Sequence, residues 1–240
     1  MLENISLSKI LFLDIETVPI YASYDEVEEP LKKLWNKKAE TLIRIDKTVD
    51  ADTTPSQIYR RAGIFAEFGK IICISTGFFR DGKFRIKSFY GDNETKLLSE
   101  FAVLLNHHFN TTTHTLCAHN GKEFDYPFIA RRMLINGLKL PAILDFAGKK
   151  PWEINHLDTM ELWKFGDYKN YTSLALLAAV FNIPTPKDDI DGSQVYKVYW
   201  EEKDLNRIVI YCQKDTLTVA QIFLKYRGEE LIKEENIVIV

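Results

Sequence analysis

Apolar residues first gather without interruption at Ile10–Asp14, a run that ends in a carboxylate. A run with no apolar/polar alternation predicts a central strand buried on both faces. From Val18 to about Gly69 the pattern turns polar, interrupted early by Pro19 and Pro30. Within it, Glu28–Ile45 has helical spacing, and Thr54-Pro55-Ser56-Gln57 spells a capped helix start with Thr54 as N-cap and Pro55 in the first turn. The whole stretch is predicted to be an insertion between the first two strands. Lys70–Phe79 and Lys83–Phe89 then flank Asp81-Gly82, which predicts a tight hairpin. Asn93 caps a helix predicted over Glu94–Phe109, Thr115–Ala118 is a short strand, and Phe124–Asn136 is a helix stopped by Gly137. Ser173–Phe181 is a further helix, closed before Pro184, and Asp204 caps a last long helix to about Arg227. This order predicts one α/β domain, residues 1–240, around a mixed central sheet flanked by helices.

Bulk properties narrow the picture modestly. A chain of 240 residues with 46% hydrophobic and 27% charged residues has the balance of a soluble globular domain that buries its own core. The net charge of −3 speaks against coating long nucleic acid, and little against gripping a few nucleotides at an end. Cys73, Cys117 and Cys212 form no CxxC pair or Cys/His cluster, which excludes a recognisable structural zinc site. Isolated thiols suit a reducing compartment, the cytoplasm. Met1–Lys9 lacks the features of a secretory signal, and no apolar run approaches the ~18 residues of a membrane span.

Chemistry concentrates in the carboxylates. Asp14-x-Glu16 lies at the end of the first strand, where residues two apart share a face. Such a pair repels unless a cation intervenes, and a hard divalent ion is the natural partner. A strand-end cap beside a solvated charge is the plain alternative. The same spelling at Asp92-Asn93-Glu94 opens a helix and reads as capping. Tyr211-x-x-x-Asp215 puts both side chains on one face of an apolar helix, where Asp215 needs either solvent or a compensating charge. Its spelling recurs at Tyr21 to Asp25 in a Pro-flanked loop. Asp125, in His119-Asn120-Gly121-Lys122-Glu123-Phe124-Asp125, reads by itself as the N-cap of the middle helix, a role that does not exclude ligating a metal. Asp188, Asp189 and Asp191 lack the spacing of a helix-loop-helix calcium loop and read as an ordered loop at the site's rim.

Taken in order, Asp14-x-Glu16, Asn120-x-x-x-Phe124-Asp125 and Tyr211-x-x-x-Asp215 resemble the three exonuclease motifs of the DEDD superfamily. The resemblance covers about Ile10 to Lys225 and implies a ribonuclease H-like fold. Tyrosine in the last motif matches the tyrosine-type branch. The histidine branch would require Asp five residues after a histidine, and none of the five histidines has one. The stretches Phe68–Ser75 and Ile190–Val195 resemble stand-alone relatives of the family B DNA polymerase proofreading domain.

The resemblance implies a metal-dependent 3′→5′ exonuclease with two Mg²⁺ or Mn²⁺ ions held by Asp14, Glu16, Asp125 and Asp215, and with Tyr211 orienting the attacking water. It implies as substrate a single-stranded 3′ end, of DNA first, or of RNA in an RNA-trimming relative. A nucleic-acid-binding module that has lost catalysis is a further alternative, against which the filled acidic positions argue. By position in the motifs, the backbone around Thr17, the side chain of Asn120 and the ring of Phe124 would meet substrate. Phe124 reads equally as a core aromatic. Lys122, Arg131, Lys169 and Lys187 could meet phosphates or be ordinary surface charges, and His119 reads as structural. A polymerase or repair partner, if one exists, would be a separate polypeptide.

Overall fold

The computed structural model describes residues 2–50, 52–167, 171–184 and 190–240. The chain runs β1 (Ile10–Pro19), α1 (Leu31–Ile45), β2 (Gly69–Arg80), β3 (Lys83–Tyr90), α2 (Glu94–His108), β4 (Thr115–Ala118) and α3 (Asp125–Ile135). It continues through β5 (Leu157–Asp158), α4 (Thr159–Lys164), α5 (Leu174–Val180), α6 (Val195–Lys197), α7 (Leu205–Tyr226) and β6 (Ile237–Ile239). The strands form a six-stranded sheet in the order β5-β4-β1-β2-β3-β6. β1 pairs antiparallel with β2 and parallel with β4, the mixed arrangement of a ribonuclease H-like fold.

β1 is buried on both faces, as its unbroken apolar run predicts. Leu11, Leu13 and Ile15 pack with Leu98 and Phe101 of α2 and Ile129 of α3. Ile10 and Phe12 face the other way, onto Val219, Ala220 and Phe223 of α7. Phe12 meets Phe84 and Phe223 edge-on at 5.9 and 5.8 Å. The strand outlasts its apolar run, because pairing with β2 continues through the polar residues to Pro19↔Gly69. The predicted hairpin forms, with Asp81 and Gly82 both at positive φ (53° and 73°), the twist a two-residue turn between strands requires.

The insertion has a small core of its own. Trp35 of α1 is fully buried against Tyr59 and Phe68, and its indole N–H donates to the Pro55 carbonyl at 2.9 Å. The helix predicted to start at Thr54 does not form. Gln57 Oε1 accepts from both the Thr54 backbone N–H and its hydroxyl, and the chain proceeds through turns into a 3₁₀ segment at Tyr59–Ile64. Trp35 takes the Pro55 carbonyl that an α-helix would need four residues on. Where the insertion rejoins the sheet, a Cβ at Gly69 would stand 2.5 Å from the Gly63 carbonyl oxygen, so the two backbones meet at a distance only glycine allows.

A buried ion pair fastens these parts. Arg132 of α3 binds Glu94 at the start of α2 through Nε (2.9 Å) and Nη2 (2.5 Å), and donates to the Ala66 carbonyl of the insertion. Glu94 also accepts from the Ile71 backbone N–H of β2 at 2.7 Å and from the Asn136 amide at 3.0 Å. Asn93 is the N-cap of α2, as predicted, while Glu94 does more than complement the helix dipole.

Other departures are local. α3 begins at Asp125, with Phe124 outside it at φ −121°, ψ −74°. β5 and β6 are too short for any periodicity to announce them. Before α7, α6 opens into a π-helical turn, Val198–Glu202, that ends at Lys203 in the left-handed region. Among the described residues, no helix is long and apolar enough to cross a membrane.

Candidate active site

The row of β1 side chains that puts Ile10 and Phe12 against α7 continues, two residues at a time, through Asp14 and Glu16. Both carboxylates therefore face the helix that carries Tyr211 and Asp215. The register of β1 against β2 shifts between Glu16 and Thr17, a bulge immediately after the carboxylate pair. On α7, the Tyr211 hydroxyl donates to the Asp215 carboxylate one turn on.

The electrostatics are those of a concentrated negative site. Burial, then repulsion from Glu16, Asp215 and Asp125, pushes the Asp14 carboxyl well above the usual carboxylate range. Burial, then Asp215, does the same to Glu16. Tyr211 is held well above an ordinary phenol by burial and by Asp215, Glu16 and Asp14, so it stays protonated. Asp14 Oδ2 is buried with no hydrogen-bond partner. Hard oxygen donors with unbalanced charge and an orphaned buried acceptor fit a hard divalent cation.

Asp125 reaches the same cluster from the opposite side of the sheet. Its carboxylate accepts from its own N–H and from the Ile15 N–H of β1, and burial, with Asp158 adding, pushes it up to about 8. It is thus the first residue of α3 and a neighbour of Asp14 and Glu16 together.

Two participants escape sequence reasoning. Asp158, at the end of β5, accepts from the backbone N–H groups of Asn120, Lys122, Met160 and Glu161. It clamps the loop that leads to Asp125 onto the start of α4. The spelling Asp158-x-x-Glu161 is legible as a helix cap, but nothing in it points to the loop across the sheet. Cys212, one turn before Asp215, places its sulfur within 4.8 Å of ligand atoms of Asp14 and Glu16. Burial pushes its thiol up, and the neutral S–H donates to the Asp14 carbonyl at 3.3 Å, making it a wall of the site.

A cleft of about 540 Å³ opens onto Asp14, Tyr211 and Asp215, bordered by His119, Ser173, Ile190 and Gln194. The His119 Nε2–H donates to the Thr172 carbonyl, Nδ1 meets the Thr159 hydroxyl at 2.9 Å, and burial pushes its pKa down, which agrees with a structural reading. Asn120 stands at φ 61° with its side-chain oxygen buried and without a partner. Thr17 is partly exposed just after the bulge. Phe124 is partly buried on the core, 5.3 Å from the Phe128 ring. Lys122 is ion-paired with Glu161 at 2.6 Å, and Arg131 is exposed on α3. Asp191 turns inward on Ser193, accepting from its N–H and hydroxyl. Lys169, Lys187, Asp188 and Asp189 lie outside the described residues.

Residues 64–235 match the family described as predicted 3′-5′ exonuclease related to the exonuclease domain of PolB. Among solved structures, the family B DNA polymerase of the hyperthermophilic archaeon Pyrobaculum calidifontis is similar over 90% of this chain, at 16% identity and a TM-score of 0.48. The chain spans 24% of that polymerase's length. No curated protein matches the chain.

Proposed function

We propose that this chain, which belongs to the family of predicted 3′-5′ exonucleases related to the exonuclease domain of PolB, hydrolyses single polynucleotide strands from the 3′ end, with DNA as its first substrate. The observation that carries this reading is that Glu16, Asp215 and Asp125 surround Asp14 closely enough that each raises the cost of ionising it. These residues would hold two Mg²⁺ or Mn²⁺ ions. When bound, the ions neutralise the scissile phosphate and favour ionisation of the attacking water.

The chain's own groups have distinct tasks. Asp14 lies among the other carboxylates and would contribute to holding the ions with each of them. Tyr211 keeps its proton and orients the attacking water, and it is too weak an acid to serve as base. The Thr17 backbone and the Asn120 side-chain amide hold the terminal nucleotide, and the partnerless Asn120 oxygen is an acceptor awaiting a donor. Phe124, packed on the core, bounds the terminal base with its exposed edge.

The test is release of mononucleotides from matched 3′-labelled single-stranded DNA, duplex DNA and RNA with Mg²⁺ or Mn²⁺. Release from single-stranded DNA, lost in chelator and restored by metal, is the expected result. Equal or faster release from RNA would make the enzyme an RNA trimmer of the same fold. Metal-dependent binding without release from any substrate would identify a non-catalytic module and sink the proposal.

Two further outcomes follow from the site. Tyr211→Phe should lower kcat by roughly 10²-fold, the scale of a misplaced reactant, while leaving Mn²⁺ affinity unchanged in a calorimetric titration. The second concerns pH. In the metal-free protein the carboxyls of Asp14, Glu16 and Asp125 are raised, so the folded state binds protons more tightly than the unfolded chain. Their stabilising contribution is complete below the ordinary carboxylate pKa and is lost as pH rises through the folded values. For Asp125 that window runs from 3.8 to about 8. The metal-free melting temperature should therefore fall as pH rises through that window to about 8, and millimolar Mn²⁺ should restore it by several degrees. A melting temperature indifferent to metal across this range would count against the site.

A further inference from the structure

A further hollow, of about 350 Å³, lies where the start of β2 meets the π-helical turn before α7, walled by Lys70, Asp92, Tyr199, Trp200, Lys203 and Leu205. Two ammonium groups converge there on one indole. Lys70 Nζ stands 4.8 Å and Lys203 Nζ 4.9 Å from the Trp200 ring. Cation–π attraction holds each ammonium on the ring but does not abolish the repulsion between the two cations. Among the described residues, neither lysine is ion-paired. The adjacent Glu201 is bound to Arg60, and Glu202 to Lys197 and Arg207. The Tyr199 hydroxyl donates to Asp92 Oδ1 at 2.7 Å, and the Tyr199 oxygen accepts from Lys70 Nζ at 2.9 Å.

The backbone takes an uncommon conformation to build this arrangement. Lys203 sits at φ 57°, ψ 31°, a region costly for a residue with a side chain. The indole is fixed by its N–H to the Pro19 carbonyl at 3.3 Å. Pro19 ends the strand that carries Glu16, ~10 Å further along at ~3.3 Å per residue. A fixed aromatic face between two cations, with space before it, is the chemistry that holds a sugar-phosphate backbone.

We propose that this hollow binds a backbone phosphodiester of the polynucleotide remote from the scissile bond, with Lys203 and Lys70 as its cationic contacts and Trp200 packing against the adjoining sugar or base. The inference rests on the exonuclease reading and adds a second grip, on the order of three stacked nucleotides from the reacting end at ~3.4 Å each.

The full chain carrying Lys203→Glu or Lys203→Gly tests it. Glycine removes the ammonium while favouring the left-handed backbone, so it separates charge from fold. The probes are fluorescent oligothymidylates, a dinucleotide and a strand of about 20 nucleotides, single-stranded or as a duplex with a recessed 3′ end. Binding is read without metal as a function of salt, and turnover with Mn²⁺. Lys203→Glu should weaken binding of the long strand about tenfold and raise its KM with kcat unchanged. Lys203→Gly should reduce the slope of log affinity against log salt by about 0.7. The dinucleotide should bind equally to all forms. An effect on the single strand assigns the phosphate to the strand being degraded, and an effect confined to the duplex assigns it to the opposite strand. Native affinity and salt slope in both variants, or equal losses for dinucleotide and long strand, would overturn the site. A native protein that releases no nucleotide but loses long-strand binding on Lys203→Gly would overturn the exonuclease reading and leave the site standing.

Discussion

Asp14→Ala is expected to lower mononucleotide release from a 3′-labelled strand by at least ~10³-fold while the protein stays folded. A loss of that size corresponds to ~4 kcal/mol of transition-state stabilisation. It follows from where the residue sits. Asp14 is the group toward which Glu16, Asp215 and Asp125 all direct negative potential, and its Oδ2 has no protein partner to satisfy it. Removing it takes away the carboxylate at the centre of the cluster, the one that would serve both ions in the proposed function. The fold should tolerate the change, because the metal-free protein loses a source of repulsion and keeps the β1–β2 ladder, which is made by backbone groups. The metal-free melting temperature should hold or rise, and the rise produced by Mn²⁺ in the native chain should vanish. Full activity in a folded Asp14→Ala protein would refute the assignment of the site.

The largest effect on stability is expected at Arg132→Ala, about 3–5 kcal/mol, the usual cost of leaving one member of a buried ion pair uncompensated. Glu94 and Arg132 are both almost fully buried, and their contacts reach α2, α3, β2 and the Ala66 carbonyl of the insertion. With the guanidinium gone, the Glu94 carboxylate keeps only the Ile71 N–H and the Asn136 amide, and the Ala66 carbonyl loses its donor. Urea unfolding should show the loss as a shift in midpoint. A Glu94→Leu, Arg132→Met double variant should be less destabilised than Arg132→Ala, since no unpaired charge is left inside. A double variant worse than the single one would mean that the pair contributes net stability of its own. Activity per folded molecule should survive, because neither residue touches the carboxylate cluster.

The parts of the molecule that were legible in the sequence are those set by local periodicity and local caps. β1 announced itself by an unbroken apolar run, the hairpin by Asp81-Gly82, α2 by Asn93, and α7 by Asp204 ahead of a long amphipathic pattern. The resemblance to exonuclease motifs was legible because their order along the chain is distinctive, even though the first and last spellings each have a decoy. The decoys separate on environment. Tyr21 packs in the insertion's own core, and Asp92 binds Tyr199. What stayed hidden depends on distant partners. At Thr54 the chain makes turns in place of a helix, with the Tyr59 N–H on the Ser56 carbonyl and Trp35, 20 residues earlier, donating to the Pro55 carbonyl. The clamp at Asp158 connects segments 38 residues apart. β5 and β6 exist only because β4 and β3 offer them an edge. The hollow at Trp200 depends on a π-helical turn, which no hydrophobic period encodes.

The hydrogen bond between the Cys212 thiol and the Asp14 carbonyl joins positions separated by 198 residues. Its consequence concerns time during synthesis. At ribosomal rates of about 5–20 residues per second, roughly 10–40 s pass between the emergence of β1 and that of α7. Through that interval Asp14 and Glu16 lack Tyr211 and Asp215, and the Cys212 wall is missing. The nascent chain is thus a sheet with an incomplete carboxylate cluster, which closes only with the docking of the final helix, late in the birth of the molecule.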